Sequence, residues 1–308
     1  MTIAAPPAAH RTTRSLLRGL LGIPPTIAVE HTAVSRHDAV ARAAIANVYE
    51  FTSADYPGAA LSQVFDSDGT TALGGFIFDP GNASSLATAF TVAAGVYQIF
   101  NVPNSTASVA TGINTSGLIV GVYQDLTGAM HGFSTSDGST FNDVDFPGVT
   151  STQAIDVNDA GDIVGDYFDA ANVEHGFLSS GGTFTAIDFP GATSTAAAGI
   201  NANGDIVGGY TDTTGTHGFL RSGGVFTPIN FPVASSTTAW GINDDGDIAG
   251  FYTDAAGKTH GFVYADKNFS TVDVAGAGGT QLTRIKNSGQ VTGLYIDALS
   301  EQHGLTSR

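Results

Sequence analysis

Four residues interrupt an otherwise repetitive sequence, and their side chains are of the types found in small-molecule sites. Two of them, Asp156 and Asp166, are carboxylates. Arg284 is one of six basic residues after position 45, and Trp240 is the only tryptophan. A carboxylate pair can bind a polar ligand or move a proton, an arginine can hold an anionic or carbonyl oxygen, and an indole supplies an apolar wall. These residues therefore predict a polar pocket that either binds a ligand or performs acid–base catalysis.

The positions of these residues vary between repeat units, whereas a residue that the scaffold requires is repeated in every unit. Each repeat unit contains a tight turn that opens with a polar residue. The residues three places before this opening residue differ from unit to unit: Gln63, Thr111, Ile155, Ala198, Trp240 and Arg284. We therefore expect function where the units differ. The candidate catalytic residues are Asp156, Asp166 and Arg284, and the candidate ligand-binding residues are Trp240, Gln63, Thr111 and Tyr167.

The elements that position these residues recur along the chain. One turn glycine per unit stands at Gly69, Gly117, Gly161, Gly204, Gly246 and Gly289, with spacings of 48, 44, 43, 42 and 43 residues. Each unit is predicted to form four short strands. The first ends in Ile-Asn, and a tight turn leads to the second, Asp-Ile-Val-Gly-x-Tyr. The third is His-Gly-Phe-Leu, and the fourth ends at a proline. Four strands in about 43 residues are typical of propeller blades.

The two ends of the repeat region predict a closed ring. The last unit ends at Leu305 after three strands, so its fourth strand is missing. Near the N-terminus, Asp55-Tyr56-Pro57-Gly58 matches the fourth-strand ending Asp145-Phe146-Pro147-Gly148. We therefore expect residues 48–56 to complete the sixth blade. The predicted fold is an all-β, six-bladed propeller over residues 47–308, with a short N-terminal arm, helical or extended, over residues 1–46.

Two motifs carry a resemblance to a known family. The His-Gly-Phe step, as at His175-Gly176-Phe177, and the spacing of Asn201, Gly204 and Gly208 resemble the bacterial HAF repeats, which are probable extracellular repeats of the propeller type. The resemblance covers about residues 48–308. It implies a secreted or periplasmic protein and names no reaction. Because Arg18 and Pro24-Pro25 interrupt the N-terminal apolar stretch, a signal peptide is not convincing and a cytoplasmic location stays open.

Five histidines recur in register, each five or six residues after an aspartate: His131, His175, His217, His260 and His303. We expect each to open the third strand of its blade, far from the axis. Five such positions cannot converge on one ion, so the pattern predicts Asp–His hydrogen bonds that hold the loop between strands two and three. No metal site and no cofactor is expected.

Charge and composition restrict the partners. The net charge is −17, and the residues after position 45 hold 26 acidic and 6 basic groups, which disfavours nucleic acid and anionic membranes. The absence of cysteine excludes thiol nucleophiles and iron–sulfur clusters. We expect a ligand-binding or interaction propeller with a polar pocket on its axis, for a small molecule or glycan. The alternative is a lyase, isomerase or hydrolase that uses an Asp as acid or base. The sequence does not indicate an oligomeric state.

Overall fold

The fold consists of antiparallel strands throughout the residues that the computed structural model describes, 49–53, 55–57, 61–67, 71–77 and 87–307. The arm predicted over residues 1–46 lies outside this range. The described residues form 24 strands in six four-stranded sheets and no helix. No helix in this part of the chain is therefore long and apolar enough to cross a membrane.

Each sheet is one blade, and its strands are numbered in chain order. Blade 1 contains β2 (Leu61–Ser67), β3 (Thr71–Ile77), β4 (Thr88–Ala93) and β5 (Val96–Phe100). Blade 2 contains β6 (Ser105–Ile113), β7 (Ile119–Asp125), β8 (Met130–Thr135) and β9 (Asn142–Asp143). Blade 3 contains β10 (Thr152–Val157), β11 (Ile163–Phe168), β12 (Glu174–Ser180) and β13 (Thr183–Ile187).

The remaining blades follow the same order. Blade 4 contains β14 (Ser194–Ile200), β15 (Ile206–Asp212), β16 (Gly215–Ser222) and β17 (Val225–Ile229). Blade 5 contains β18 (Ser236–Ile242), β19 (Ile248–Thr253), β20 (Thr259–Ala265) and β21 (Asn268–Val272). Blade 6 contains β22 (Gly279–Ile285), β23 (Val291–Ile296), β24 (Gln302–Ser307) and, as its outermost strand, β1 (Phe51–Ser53).

The N-terminal strand closes the ring as the sequence predicts. Phe51 pairs with Ser307 and Ser53 pairs with Leu305, antiparallel to β24. Consecutive blades pack against each other, and β23 and β24 of blade 6 pack against β2 of blade 1. The six-bladed fold and its closure are confirmed. Closure leaves the inner three strands of every blade paired on both edges or covered, which removes free sheet edges from the centre of the molecule.

The repeated asparagine connects neighbouring blades as well as shaping its own turn. In blade 4, Asn201 Oδ1 accepts hydrogen bonds from the backbone N–H groups of Asn203 and Asp205, which fixes the turn before Gly204 at its φ of 76°. Its Nδ2 donates to the carbonyl oxygen of Asn243 in blade 5 over 3.0 Å. The same donation runs from Asn114 to blade 3, from Asn158 to blade 4 and from Asn243 to blade 6.

The phenylalanine of the third strand forms the centre of the packing between blades. Phe177 and its counterparts Phe90, Phe133, Phe219 and Phe262 are completely buried. In blades 2 to 5 the ring lies over the glycine of the second strand: a Cβ on Gly165 would stand 1.9 Å from the carbonyl oxygen of Gln153 and 2.9 Å from the Phe177 ring. The Val-Gly step of the repeat is therefore a requirement of this close approach.

Each repeated histidine lies 3.3–3.7 Å from its loop aspartate, and among them His260 forms the predicted hydrogen bond, to Asp254. Each histidine also has a nearer partner that the sequence pattern did not predict. His175 Nδ1 lies 2.8 Å from Asp188, at the end of the fourth strand, and its Nε2 lies 3.6 Å from the loop residue Asp169. The ring also stacks on Tyr167 at a centroid distance of 5.2 Å. The equivalent contacts recur in blades 2, 5 and 6, so the histidines hold the outer strands of these four blades together.

His260 gives this network a predictable dependence on pH. Its hydrogen bond with Asp273 raises the pKa of His260 above the ordinary value, against the lowering effect of burial. Protons therefore bind more tightly to the folded state. The stabilisation that His260 contributes to folding is complete below its unfolded pKa of about 6.5 and is lost as pH rises through its folded pKa. We expect His260→Ala to cost about 1 kcal/mol near pH 6 and less near pH 9, as measured by urea unfolding at both values. An equal loss at both would contradict the pairing.

Candidate functional site

A cavity of about 330 Å³ opens on the face of the ring where the innermost strands begin. Blades 3, 4 and 5 provide most of its lining, and Gln281 comes from blade 6. The first residues of β14 and β18 and the ends of β15 and β19 form its walls. We call it the blade 3–5 cavity. It is offset from the ring axis, whereas the sequence analysis expected a pocket on the axis itself.

The side of this cavity nearest the axis is formed by bulge residues. Every innermost strand carries a one-residue β-bulge, at Phe65, Thr111, Ile155, Ala198, Trp240 and Thr283. Ile155, Ala198 and Trp240 line the cavity and belong to an apolar cluster to which all six blades contribute. The candidate Trp240 therefore lies in the cavity, 8% exposed and with its ring centroid 5.8 Å from that of Phe251.

The outer wall of the cavity carries two carboxyl groups, one predicted and one missed. Asp166 is 5% exposed and accepts a hydrogen bond from Gln153 Nε2 over 2.8 Å. Burial, and after it the charge of Glu174, raises the pKa of Asp166 well above its ordinary value. Burial also raises the pKa of Glu174, against the effect of a hydrogen bond from Ser194. Among the residues that stand directly before the five repeated histidines, Glu174 is the only charged one. The sequence therefore did contain a signal for Glu174.

Arg284 lies on the axis next to the cavity, where its two Nη atoms are bonded to internal partners and its Nε has no hydrogen-bond partner among the described residues. Its Nη2 is 3.0 Å from Asp156 Oδ1, its Nε is 3.6 Å from Asp66 Oδ2, and all three side chains are buried. Its guanidinium also donates to the carbonyl oxygens of four bulge residues, Thr111, Ile155, Trp240 and Thr283. Burial raises the pKa of Asp156 to about 6, and Arg284 opposes that rise. This axial layer closes the centre of the ring.

In the structure, Arg284 occupies a place in its repeat unit that lies one residue later than the alignment of the six units predicts. The sixth turn opens at Lys286, whose N–H bonds to the carbonyl oxygen of Gln290, rather than at Asn287. Thr283 is consequently the equivalent of Trp240, and Arg284 is the equivalent of Asp156. The predicted grouping of Arg284 with Trp240 as one pocket wall is therefore replaced by a grouping of Arg284 with Asp156. Three glycines, Gly112, Gly199 and Gly241, complete the axial layer with Asp66.

The two candidate aspartates do not form a carboxylate pair. Asp166 stands opposite Gln153 in the β10–β11 ladder, whereas Asp156 stands opposite Val164 beyond the bulge. Asp156 accepts hydrogen bonds from the N–H groups of Val157 and Ile200 and contacts Arg284. Asp166 instead faces the cavity. The hairpin brings them onto neighbouring strands, and the bulge places them in separate layers.

The other three candidates lie outside the blade 3–5 cavity. Gln63 is completely buried in blade 1, and neither amide atom has a hydrogen-bond partner among the described residues. Thr111 donates its hydroxyl hydrogen to the carbonyl oxygen of Ala154 over 2.8 Å. Tyr167 is buried between Phe146, at a centroid distance of 3.8 Å, and His175. These positions serve the packing of blades.

A second cavity, of about 320 Å³, opens on the opposite face, around the turns of the innermost hairpins. Its walls include Lys286, Asp66 and Asp156, which are bonded to each other or to Arg284. In the described part of the chain, the potential metal-ligand group is the trio Asp297, Glu301 and His303, on the exposed loop of blade 6. Neither place combines free polar groups with an enclosed volume as the blade 3–5 cavity does.

Comparisons with known proteins agree on the fold. No family model matches the chain and no curated protein matches it, so the HAF-repeat resemblance rests on its motifs alone. AofleA from Arthrobotrys oligospora is 14% identical over 84% of this chain and 86% of its own, with a TM-score of 0.56. TolB from Acinetobacter baumannii is 8% identical over 79% of this chain and 65% of its own, with a TM-score of 0.57.

A third similar structure is the β-propeller domain of the Trilobed protease from Pyrococcus furiosus. It is 9% identical over 77% of this chain and 80% of its own, with a TM-score of 0.50. At such identities the likeness shows the β-propeller fold. Because one fold carries many functions, the function has to be argued from the cavity.

Proposed function

We propose that this protein binds a small polyhydroxylated molecule, such as a mono- or disaccharide, in the blade 3–5 cavity. The observation that carries the proposal is the lining of this cavity. Seven hydroxyl side chains line it, from Ser194, Thr211, Thr216, Ser236, Thr238, Thr253 and Thr259. A hydroxyl both donates and accepts hydrogen bonds, so such a wall matches the alternating donors and acceptors of a sugar.

Aromatic side chains complete the lining. Trp240, Phe251 and Tyr210 line the cavity beside the hydroxyl groups. The rings of Trp240 and Phe251 offer an apolar surface for the C–H face of a sugar, while the hydroxyl and amide groups fix its orientation. The ring of Tyr210 is covered by Phe189 at a centroid distance of 3.6 Å. A cavity with mixed apolar walls and few convergent polar groups is the usual form of a small-molecule site. The closed axial layer next to it gives the ligand a rigid support.

The variant Gly209→Leu tests this function. A Cβ on Gly209 would stand 3.7 Å from Thr238 Cγ2 and 3.8 Å from the His217 carbonyl oxygen, which is ordinary contact. Equivalent positions in blades 5 and 6 carry Phe251 and Leu294, so the scaffold accepts large side chains there. We expect Gly209→Leu to keep the wild-type melting temperature and to lose binding of a panel of mono- and disaccharides in saturation-transfer NMR.

The matched control adds the same bulk on the other face. Ala202 lines the second cavity and is exposed, so Ala202→Leu leaves the blade 3–5 cavity unchanged. Binding that is lost in Ala202→Leu and kept in Gly209→Leu would assign the ligand to the opposite face and refute the proposal.

Acid–base catalysis in the same cavity is the second candidate function. One observation favours it: Asp166 and Glu174 are adjacent, and burial raises the pKa of both. A carboxyl group that stays protonated beside an ionised one can act as a general acid, which lyases, isomerases and hydrolases require. Arg284, a candidate for oxyanion binding in the sequence analysis, has no such role here because it does not line this cavity and its Nη atoms are bonded to Asp156 and to carbonyl oxygens on the axis. Turnover that disappears in Asp166→Asn while sugar binding persists would favour catalysis.

A further inference from the structure

We infer that the ligand of the blade 3–5 cavity carries a protonated primary amine, which is bound between Asp166 and Glu174. This inference rests on the proposed function and specifies the chemical class of its ligand, a hydroxylated amine such as an amino sugar. The hydrogen-bonding groups of the wall, the charge of the lining and the unpartnered amide oxygen of Gln281 support it.

The wall of the cavity offers more acceptors than donors. In the described part of the chain, the hydrogen bond found on Asp166 goes to Oδ2, from Gln153 Nε2. Glu174 receives a hydrogen bond from Ser194. An ionised carboxylate accepts about four hydrogen bonds, so both groups have unused capacity. An ammonium group, with three donors and no acceptor, supplies what this wall lacks.

Gln281 provides an independent indication of a ligand. It reaches the cavity from blade 6, is 5% exposed, and its Oε1 has no hydrogen-bond partner among the described residues. A buried polar atom without a partner costs about 1–3 kcal/mol, a penalty that a ligand donor removes. The acceptor of Gln281 and the two carboxyl groups therefore converge on the same enclosed volume from different blades.

The charge of the lining has one sign. Asp166 and Glu174 are the acidic residues of the described lining, and no Lys, Arg or His lines the cavity there. Two basic side chains outside the lining have other close partners: Arg284 lies 3.0 Å from Asp156 on the axis, and His175, which also acts electrostatically on Glu174, lies 2.8 Å from Asp188. The faces of Trp240 and Phe251 add the negative ring potential that attracts cations. An anionic ligand would meet repulsion and no counter-charge.

Amine binding is coupled to proton release. Burial and the charge of Glu174 raise the pKa of Asp166, so a proton binds this pair more tightly than it binds a free carboxyl group, and an arriving ammonium group competes with that proton. In balance, the carboxylic acid and the ammonium ion give a carboxylate–ammonium pair and one proton that leaves to solvent. The titratable groups around the pair are Tyr210 in the lining, His175 on β12 and Asp156 on β10. Affinity is therefore expected to rise with pH until the free amine itself loses its proton.

The test compares three disaccharides of one linkage, made of glucosamine, N-acetylglucosamine and glucose. Their rings and hydroxyl groups are alike, and only the first carries ammonium groups. We expect the glucosamine dimer to bind about 10- to 100-fold more tightly than the other two by isothermal titration calorimetry, the range of a hydrogen bond to a charged group. Binding should release protons, visible as a dependence of the measured enthalpy on the buffer.

Variants assign this preference to the pair. Asp166→Asn and Glu174→Gln keep the shape of the wall and remove the charge, so we expect each to abolish the preference and the proton release. Asp245→Asn, in an exposed turn, is the control for the change of net charge and should behave as wild type.

The outcomes separate this inference from the proposed function. One outcome is that all three disaccharides bind equally well and that Gly209→Leu blocks their binding. This outcome would overturn the ammonium inference and keep the proposed function. The same result follows if Asp166→Asn and Glu174→Gln both retain the preference for glucosamine. Failure of all three disaccharides to bind would overturn the inference together with the proposed function.

Discussion

Replacing Arg284 by methionine is expected to lower the free energy of unfolding by about 3–5 kcal/mol, the usual cost of removing one partner from a buried ion pair. The variant leaves Asp156, 5% exposed, and Asp66, 2% exposed, without their central counter-charge. It also removes the donors to four carbonyl oxygens around the axis. The measurement is urea unfolding near neutral pH, compared with wild type.

The loss should depend on pH in a defined direction. Since Arg284 lowers the pKa of Asp156 from the value that burial would give, its removal raises that pKa further. The folded variant then binds a proton more tightly than the unfolded chain, so its stability falls as pH rises from about 4. We therefore expect a smaller deficit near pH 5 than near pH 8.

Two further variants control for the loss of an arginine. Arg221→Met removes a guanidinium that lies 5.9 Å from the Phe226 ring on the outer part of blade 4, and should cost about 1 kcal/mol or less. Adding Asp156→Asn to Arg284→Met removes one uncompensated charge and should recover part of the loss, a non-additivity of about 0.5–3 kcal/mol. A loss in Arg284→Met no larger than that in Arg221→Met would refute the axial ion pair.

The fold could be predicted from sequence because the repeat is dictated by local and packing requirements that every blade shares. Three features recur at the same place in successive units because the same structural requirement recurs there. They are the glycine of the tight turn, the Val-Gly step under the third-strand phenylalanine, and the proline that ends the fourth strand. Closure was predictable for the same reason: Asp55 makes with His303 and Gly304 the contacts that Asp145 makes with His131 and Gly132.

The candidate site was only partly predictable, since the bulge in each innermost strand has no signature of its own. A bulge shifts the register by one residue and so decides which side chains share a layer. Because an asparagine opens the turn in blades 2 to 5, the sequence comparison took Asn287 as the opening residue of the sixth turn. This choice placed Arg284 at the position equivalent to Trp240. Counting back from Gly289 would have chosen Lys286 and the correct layer. Glu174 was missed because the comparison of blades stopped at the first two strands.

Deleting residues 1–56 is expected to reduce stability by roughly 5 kcal/mol. The deletion removes the ladder of β1 with β24 and the Asp55 bonds to His303 and Gly304. It also removes the partly buried rings of Tyr49 and Phe51 from the blade 6 core and uncovers Leu305, which is completely buried. At about 1 kcal/mol for each lost bond or half-buried ring, the sum approaches the whole stability of many domains. In a chain of this size it corresponds to about 10 °C in melting temperature.

Deleting residues 1–46 is the matched control, because it retains every contact that the structure describes for β1. If both deletions lower the melting temperature equally, the loss does not come from β1 and ring closure is not its cause. A synthetic peptide of residues 49–57 gives a second measurement on the longer deletion. Since it binds only the folded blade, it should raise the melting temperature of the truncated protein as its concentration increases. A version with alanine at Asp55 should do so less, because the bonds to His303 and Gly304 are then missing.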